Sequence, residues 1–199
     1  VVLTIALIQI SYDPFGEFVT DLLIDTFAPE LAGVNIFVLR HGEAGSHATM
    51  PSRDLERPLT ESGREDIELV AVSLHKLRVG FDKIATSPLK RAKETAEIVA
   101  KVYEESSPKL EIWEELRPEG NKQETLQRLS RLKQDSDVLL VGHEPYLSSM
   151  IGEIISGSPS RILLKKGGIA KVQILSFAPK ASGELRWLLT PKHLKKMNG

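Results

Sequence analysis

The chain has 199 residues, 41% of them hydrophobic, which is enough to bury one good core and suits one catalytic domain better than two. Its 26 Lys and Arg against 27 Asp and Glu give a net charge of -1, too little to gather nucleic acid or an anionic membrane through a long-range field. The absence of cysteine excludes a disulfide framework, a thiolate metal site and a phosphatase built on a cysteine nucleophile.

Val1 to Ile10 is apolar apart from Thr4 and Gln9. The run is too short to span a bilayer and carries neither a basic leader nor a small-residue cleavage site, so it reads as a buried strand or an ordinary apolar stretch. Asp13-Pro14-Phe15-Gly16, the acidic stretch from Glu17 to Asp25 and Pro29 come next, without a recognisable role. Val34 opens the first compact strand, and a valine codon can serve as a start. Residues 1–33 are therefore expected to lie upstream of the natural start and residues 34–199 to form the catalytic domain. Intact-mass measurement of native material containing residues 1–33 would overturn that expectation.

From Val34 onward, short apolar runs alternate with amphipathic stretches, the pattern of an α/β protein whose mixed sheet is flanked by helices. Ile36 to Leu39 predicts a strand that runs into Arg40-His41-Gly42. Thr60 is suited to cap a helix whose apolar positions Ile67, Val70, Ala71, Leu74 and Leu77 recur at three- and four-residue spacing. Phe81 to Thr86 reads as a second strand, after which Ser87 and Pro88 suit the cap and first position of a helix carrying Ala92, Ala96, Val99 and Val102 on one side. Arg91 then falls in its first turn. Gln123 to Leu132 predicts a third helix. Val138 to Val141 predicts a strand ending at Gly142-His143, with Pro145 opening a helix from Tyr146 to about Ile155. Ile162 to Leu164, Ala170 to Leu175 and Leu185 to Leu189 read as later strands.

Two of these strands end in a histidine, and the carboxyl ends of strands are where open α/β sheets bind ligands. Arg40, His41, Arg91 and His143 are therefore expected to converge. Two guanidiniums and two imidazoles repel one another unless an anion lies between them, and phosphate matches the planar donor fork of arginine. Each charge-assisted contact contributes about 1.5–3 kcal/mol, so several hold a phosphoryl group without metal, and EDTA-resistant activity is expected. To attack phosphorus, His41 must be neutral, which the neighbouring arginines favour, and a backbone carbonyl in the Gly42 and Glu43 turn is a candidate to fix its tautomer.

The segments Arg40-His41-Gly42-Glu43, Ser87-Pro88-Leu89-Lys90-Arg91-Ala92-Lys93-Glu94-Thr95-Ala96 and Gly142-His143 together resemble the histidine phosphatase superfamily, the phosphoglycerate mutase-like proteins. Leu116-Arg117-Pro118-Glu119-Gly120, Gly142-His143-Glu144-Pro145 and Trp187-Leu188-Leu189-Thr190-Pro191 with Leu194 resemble its small SixA-type phosphohistidine phosphatases. Only about 51 residues separate Arg91 from His143, too few for the long insertions that cap the site in the sugar-phosphate mutases. The resemblance implies a three-layer α/β sandwich around a central, mostly parallel mixed sheet, without a cap.

It further implies that His41 is the phosphorylated nucleophile, that Arg40, Arg91 and His143 clamp the phosphoryl oxygens, and that Gly42 and Ser87 contribute to substrate binding. Ser87 also reads as a plain helix cap. Glu115 and Glu119 are the candidates for a general acid. No cofactor is implied. The expected partner is a phosphohistidine-bearing protein, such as a histidine phosphotransfer domain or phosphocarrier, met by a cytoplasmic monomer that binds neither nucleic acid nor membrane. A phosphoesterase acting on metabolite phosphomonoesters and a non-catalytic phosphoprotein-binding module remain alternatives.

Other residues carry blander readings. Gly42 and Gly45 interrupt the helix that a zinc pair drawn from His41, Glu43 and His47 would need. His47, His75, His193, Lys165-Lys166 and Lys195-Lys196 read as surface, and Trp187 as core.

Overall fold

A computed structural model describes residues 11–12, 18–19, 33–45, 54–159 and 162–197. Val1–Leu31 and Ala32–Gly199 are separate compact units. In the first, strands β1 (Ser11–Tyr12) and β2 (Phe18–Val19) pair antiparallel; the apolar run from Val1 to Ile10 and His47 lie outside the described residues.

The second unit is built on a sheet whose central strands are apolar on both faces. Its elements are β3 (Val34–Arg40), α1 (Glu61–Lys76), β4 (Lys83–Thr86), α2 (Lys90–Val102), β5 (Lys109–Ile112), α3 (Lys122–Leu129), β6 (Asp137–Gly142), α4 (Tyr146–Ser156), β7 (Ile169–Ser176), β8 (Ser182–Leu189) and α5 (Pro191–Met197). The strand order is β5-β4-β6-β3-β7-β8, with the first four parallel and β7 antiparallel to both β3 and β8.

Successive side chains of a strand point to opposite faces, and β3 divides accordingly. Ile36 and Val38 pack with Val138, Leu140, Leu147, Met150, Trp113 and Leu129, under α3 and α4. Phe37 and Leu39 pack with Ile67, Val70, Leu74, Ala96, Val99 and Leu194, under α1, α2 and α5. The result is the expected three-layer sandwich with a mostly parallel mixed sheet. Thr60 caps α1 as its position suggests, its hydroxyl accepting the Gly63 N–H at 3.1 Å.

Several elements depart from the sequence reading. Ile162 to Leu164 is not a strand: Leu164 is buried, and its carbonyl accepts Arg40 Nη1 at 3.0 Å instead of joining a ladder. Ser87 and Pro88 do not open α2, which starts at Lys90 with Leu89 in the cap position and no side-chain cap. The edge strand β5 was not expected, and α3 ends three residues before Leu132. Trp187 is half-buried beside Phe37, their ring centroids 5.9 Å apart. His75 and His193 are exposed, the former with its ring edge-on to Tyr103. Among the described residues, no helix is long and apolar enough to cross a membrane.

Candidate active site

Neighbouring parallel strands that end in register deliver the residues after them to one edge of the sheet. Arg40 is level with Gly142, and the His41 N–H extends the ladder by donating to the Gly142 carbonyl at 3.1 Å. His143 is the next residue, so the two imidazoles meet with ring centroids 5.0 Å apart. On the other side of β6, the Ser87 N–H donates to the Val141 carbonyl at 3.0 Å, and the Ser87 hydroxyl lies 2.8 Å from His143 Nε2. Arg91, on the first turn of α2, returns to donate its Nε–H to His41 Nε2 at 3.2 Å. Arg40, His41, Ser87, Arg91 and His143 thus share one cluster.

Local contacts settle the state of His41. Its Nδ1 stands 2.7 Å from the Gly42 carbonyl, which only accepts, so Nδ1 carries the proton and Nε2 keeps a lone pair. The Gly42 N–H does not face an anion; it donates to Thr95 Oγ1 at 3.2 Å, and Thr95 donates in turn to the Arg91 carbonyl at 2.8 Å. A Cβ at Gly42 would stand 2.8 Å from both the Gly63 carbonyl oxygen and Ile67, so the backbone bearing His41 is pressed closely against α1. Behind it, the Gly167 N–H bonds the carbonyls of Arg40 and His41 at 3.1 and 3.2 Å.

The electrostatics arise from burial and like charge. His41 is 6% exposed, and its pKa is lowered to about 4 chiefly by burial; the Gly42 carbonyl opposes the shift, while Arg91, Arg40 and Arg57 reinforce it. His143, 2% exposed, is lowered to about 2 by burial and then by His41 and Arg91, against the opposing charge of Asp54. Both imidazoles are therefore neutral near pH 7. Burial and Arg57 also lower the pKa of Arg91, opposed by Asp54, but arginine keeps its proton in proteins. His143 Nδ1 and Arg40 Nε are buried without a hydrogen-bond partner. Such an atom costs about 1–3 kcal/mol, which a ligand rich in oxygen acceptors recovers.

Two residues that the sequence reading missed complete the cluster. The Asp54 carbonyl accepts Arg91 Nη1 at 2.9 Å, and its carboxylate lies 3.4 Å from Arg91 Nη1 and 2.8 Å from Arg57 Nε. Arg57 also donates Nη1 to the Gly45 carbonyl at 2.7 Å. Asp54 is a clamp that fixes Arg91 with its Nε toward His41, and Arg57 is a third guanidinium, buried like Arg91. Three arginines and one carboxylate leave two positive charges in excess around neutral imidazoles, which matches a phosphoryl dianion. No strand or helix pattern marks these residues. The available signal was an arginine three residues after an aspartate, just before the Thr60 cap.

Other expected contributors stand elsewhere. Glu115 is buried but ion-paired with Arg128 at 2.8 Å, and Glu119 is exposed, so neither lies in the cluster of contacts around His41. Glu43 pairs with Lys166 at 2.6 Å, and Lys195 with Asp66 at 2.8 Å. In the helix after His143, the Leu147 N–H donates to the His143 carbonyl and the Ser148 N–H to Glu144 Oε1. Among the described residues, no group of three or more His, Asp and Glu is placed to hold a metal ion.

Known proteins are similar to this chain in sequence and in fold. Residues 36–119 match the sequence model of the histidine phosphatase superfamily (branch 1). An uncharacterised protein of Picosynechococcus sp. is 36% identical over 81% of this chain and 99% of its own length. A phosphohistidine phosphatase SixA homolog of Haemophilus influenzae is 30% identical over 77% of this chain and 88% of its own length. Among solved structures, the protein histidine phosphatase SixA complexed with tungstate superposes with a TM-score of 0.67 at 26% identity, covering 80% of this chain and 99% of that one.

Proposed function

The chain belongs to the histidine phosphatase superfamily as a SixA-type phosphatase, and from that premise we propose that it hydrolyses phosphohistidine carried on a protein. The observation that carries this reading is His41 Nε2, a lone pair held by the Gly42 carbonyl's grip on Nδ1 among three guanidiniums. The oxyanion tungstate held by the similar SixA structure supports phosphate as the natural occupant.

The reaction then has two steps. His41 Nε2 attacks phosphorus, the P–N bond to the substrate imidazole breaks, and Arg40, Arg91 and Arg57 neutralise charge on the three phosphoryl oxygens. A protonated phosphoimidazole leaves as neutral imidazole, so this step needs no enzyme acid, in keeping with Glu115 being tied to Arg128. Water next attacks the phosphorus of phospho-His41. The P–Nε2 bond breaks, its electrons return to Nε2, and the water's excess proton passes to a phosphoryl oxygen, so that inorganic phosphate is released and His41 regains its neutral form with Nδ1 protonated. His143 and Ser87, joined at 2.8 Å, bind the phosphoryl oxygens through both steps.

The catalytic unit in this reading is residues 34–199, and no cofactor takes part. The test presents the protein with a phosphorylated histidine phosphotransfer domain and, separately, with sugar and nucleotide monophosphates. Faster phosphate release from the former is expected. Efficient release from the monoesters with the phosphohistidine untouched would defeat the substrate assignment.

A further inference from the structure

A phosphohistidine on a folded protein reaches this site only if the carrier's surface settles on the rims around it. Two large apolar side chains are exposed beside the residues that hold the site's arginines. Leu163 is 72% exposed and immediately precedes Leu164, whose carbonyl holds Arg40 at 3.0 Å. Leu55 is 42% exposed and immediately follows Asp54, whose carbonyl holds Arg91 at 2.9 Å. Each is thus one residue from a direct contact to an arginine of the site, on two loops far apart in the chain.

A leucine this open contributes nothing to the core, and its exposed sequence neighbours are charged: Lys165 and the Glu43-paired Lys166 follow Leu164, and Glu56 follows Leu55. Scattered single apolar residues on a surface need no explanation. These two each lie one residue from a carbonyl that holds an arginine of one anion-binding site. Interfaces take their affinity from a few apolar anchors around which water is excluded, with charged residues at the edge.

We infer that Leu163 and Leu55 form a docking rim that grips apolar surface surrounding a phosphohistidine on a folded carrier protein, while Lys165 favours acidic residues at the carrier's edge. This rests on the proposed function and adds a recognition surface to it. A free phosphoamino acid brings no surrounding protein surface for the two leucines to grip. The rim therefore discriminates protein-borne from free phosphohistidine through KM, leaving the chemistry unchanged.

The test compares wild type, Leu163→Ser and Leu55→Ser on two substrates: a phosphorylated histidine phosphotransfer domain and free phosphohistidine. Both side chains are exposed, so the variants should melt with wild type, which a thermal scan checks. The expected result is a KM raised roughly tenfold for the domain in each variant, with kcat/KM on free phosphohistidine unchanged. Equal losses on both substrates, or none on either, overturn the rim. A wild-type enzyme that acts on free phosphohistidine no less efficiently than on the domain also overturns it while leaving the function standing. Inactivity on both forms removes the function itself.

Discussion

Lowering the pH from 7 to 5 discriminates between an ordinary histidine and the one this site contains. An imidazole with the usual pKa near 6.5 is only about 3% neutral at pH 5, whereas one held near 4 is still roughly 90% neutral. The difference is about thirtyfold in competent nucleophile. Side-chain nitrogen NMR of the protein in phosphate-free buffer reads it directly: Nδ1 should show as protonated and Nε2 as a bare ring nitrogen down to about pH 5. Arg91→Gln should raise the midpoint while leaving it below 6.5, because burial outweighs Arg91 among the causes. A wild-type midpoint near 6.5, or a proton on Nε2 at pH 7, would refute both the burial argument and the tautomer derived from Gly42. The same shift bears on stability. The unfolded imidazole binds its proton near 6.5 and the folded one only near 4, so between those values the unfolded state holds more protons and stability declines as pH falls. For His41 alone the loss is on the order of 3 kcal/mol.

Gly63→Ala would place a Cβ 2.1 Å from the Glu43 carbonyl oxygen, and moving that backbone should cost about 2–4 kcal/mol, seen as a lower midpoint in urea unfolding. Asp54→Asn keeps the carbonyl contact to Arg91 but removes the charge shared with Arg57; kcat/KM should fall roughly tenfold to a hundredfold with the fold intact by circular dichroism. Because arginines supply the countercharge, activity after exhaustive EDTA treatment should match the untreated protein in a phosphate-release assay.

The parts of the fold legible in the sequence are those where one local pattern coincides with its tertiary use. The β-branched run before His41 and the apolar run before His143 are buried on both faces, so their hydrophobicity needs no partner to be read. The helix after Thr60 carries both its cap and its periodicity. The edge strand β5 hides because its alternating Leu110 and Ile112 face solvent, and Ile162 to Leu164 misleads because Ile162 and Leu164 pack on the core outside any ladder while the Leu164 carbonyl accepts Arg40. Ser87 illustrates competition for one hydroxyl: its neighbour Pro88 suggests a helix start, yet the side chain reaches His143. Asp54 and Arg57 were invisible because their role arises only when the loop before α1 folds against α2, a contact between residues 37 positions apart.

The central claim is that His41 Nε2 bonds covalently to phosphorus during turnover. Mixing the protein with a labelled phosphohistidine domain, quenching in alkali within the first turnover and mapping the modification by mass spectrometry tests it most directly. Acid-labile phosphate on His41, absent from His41→Ala together with turnover, is the result expected. Label on His143 instead, or undiminished phosphate release by His41→Ala, would contradict it.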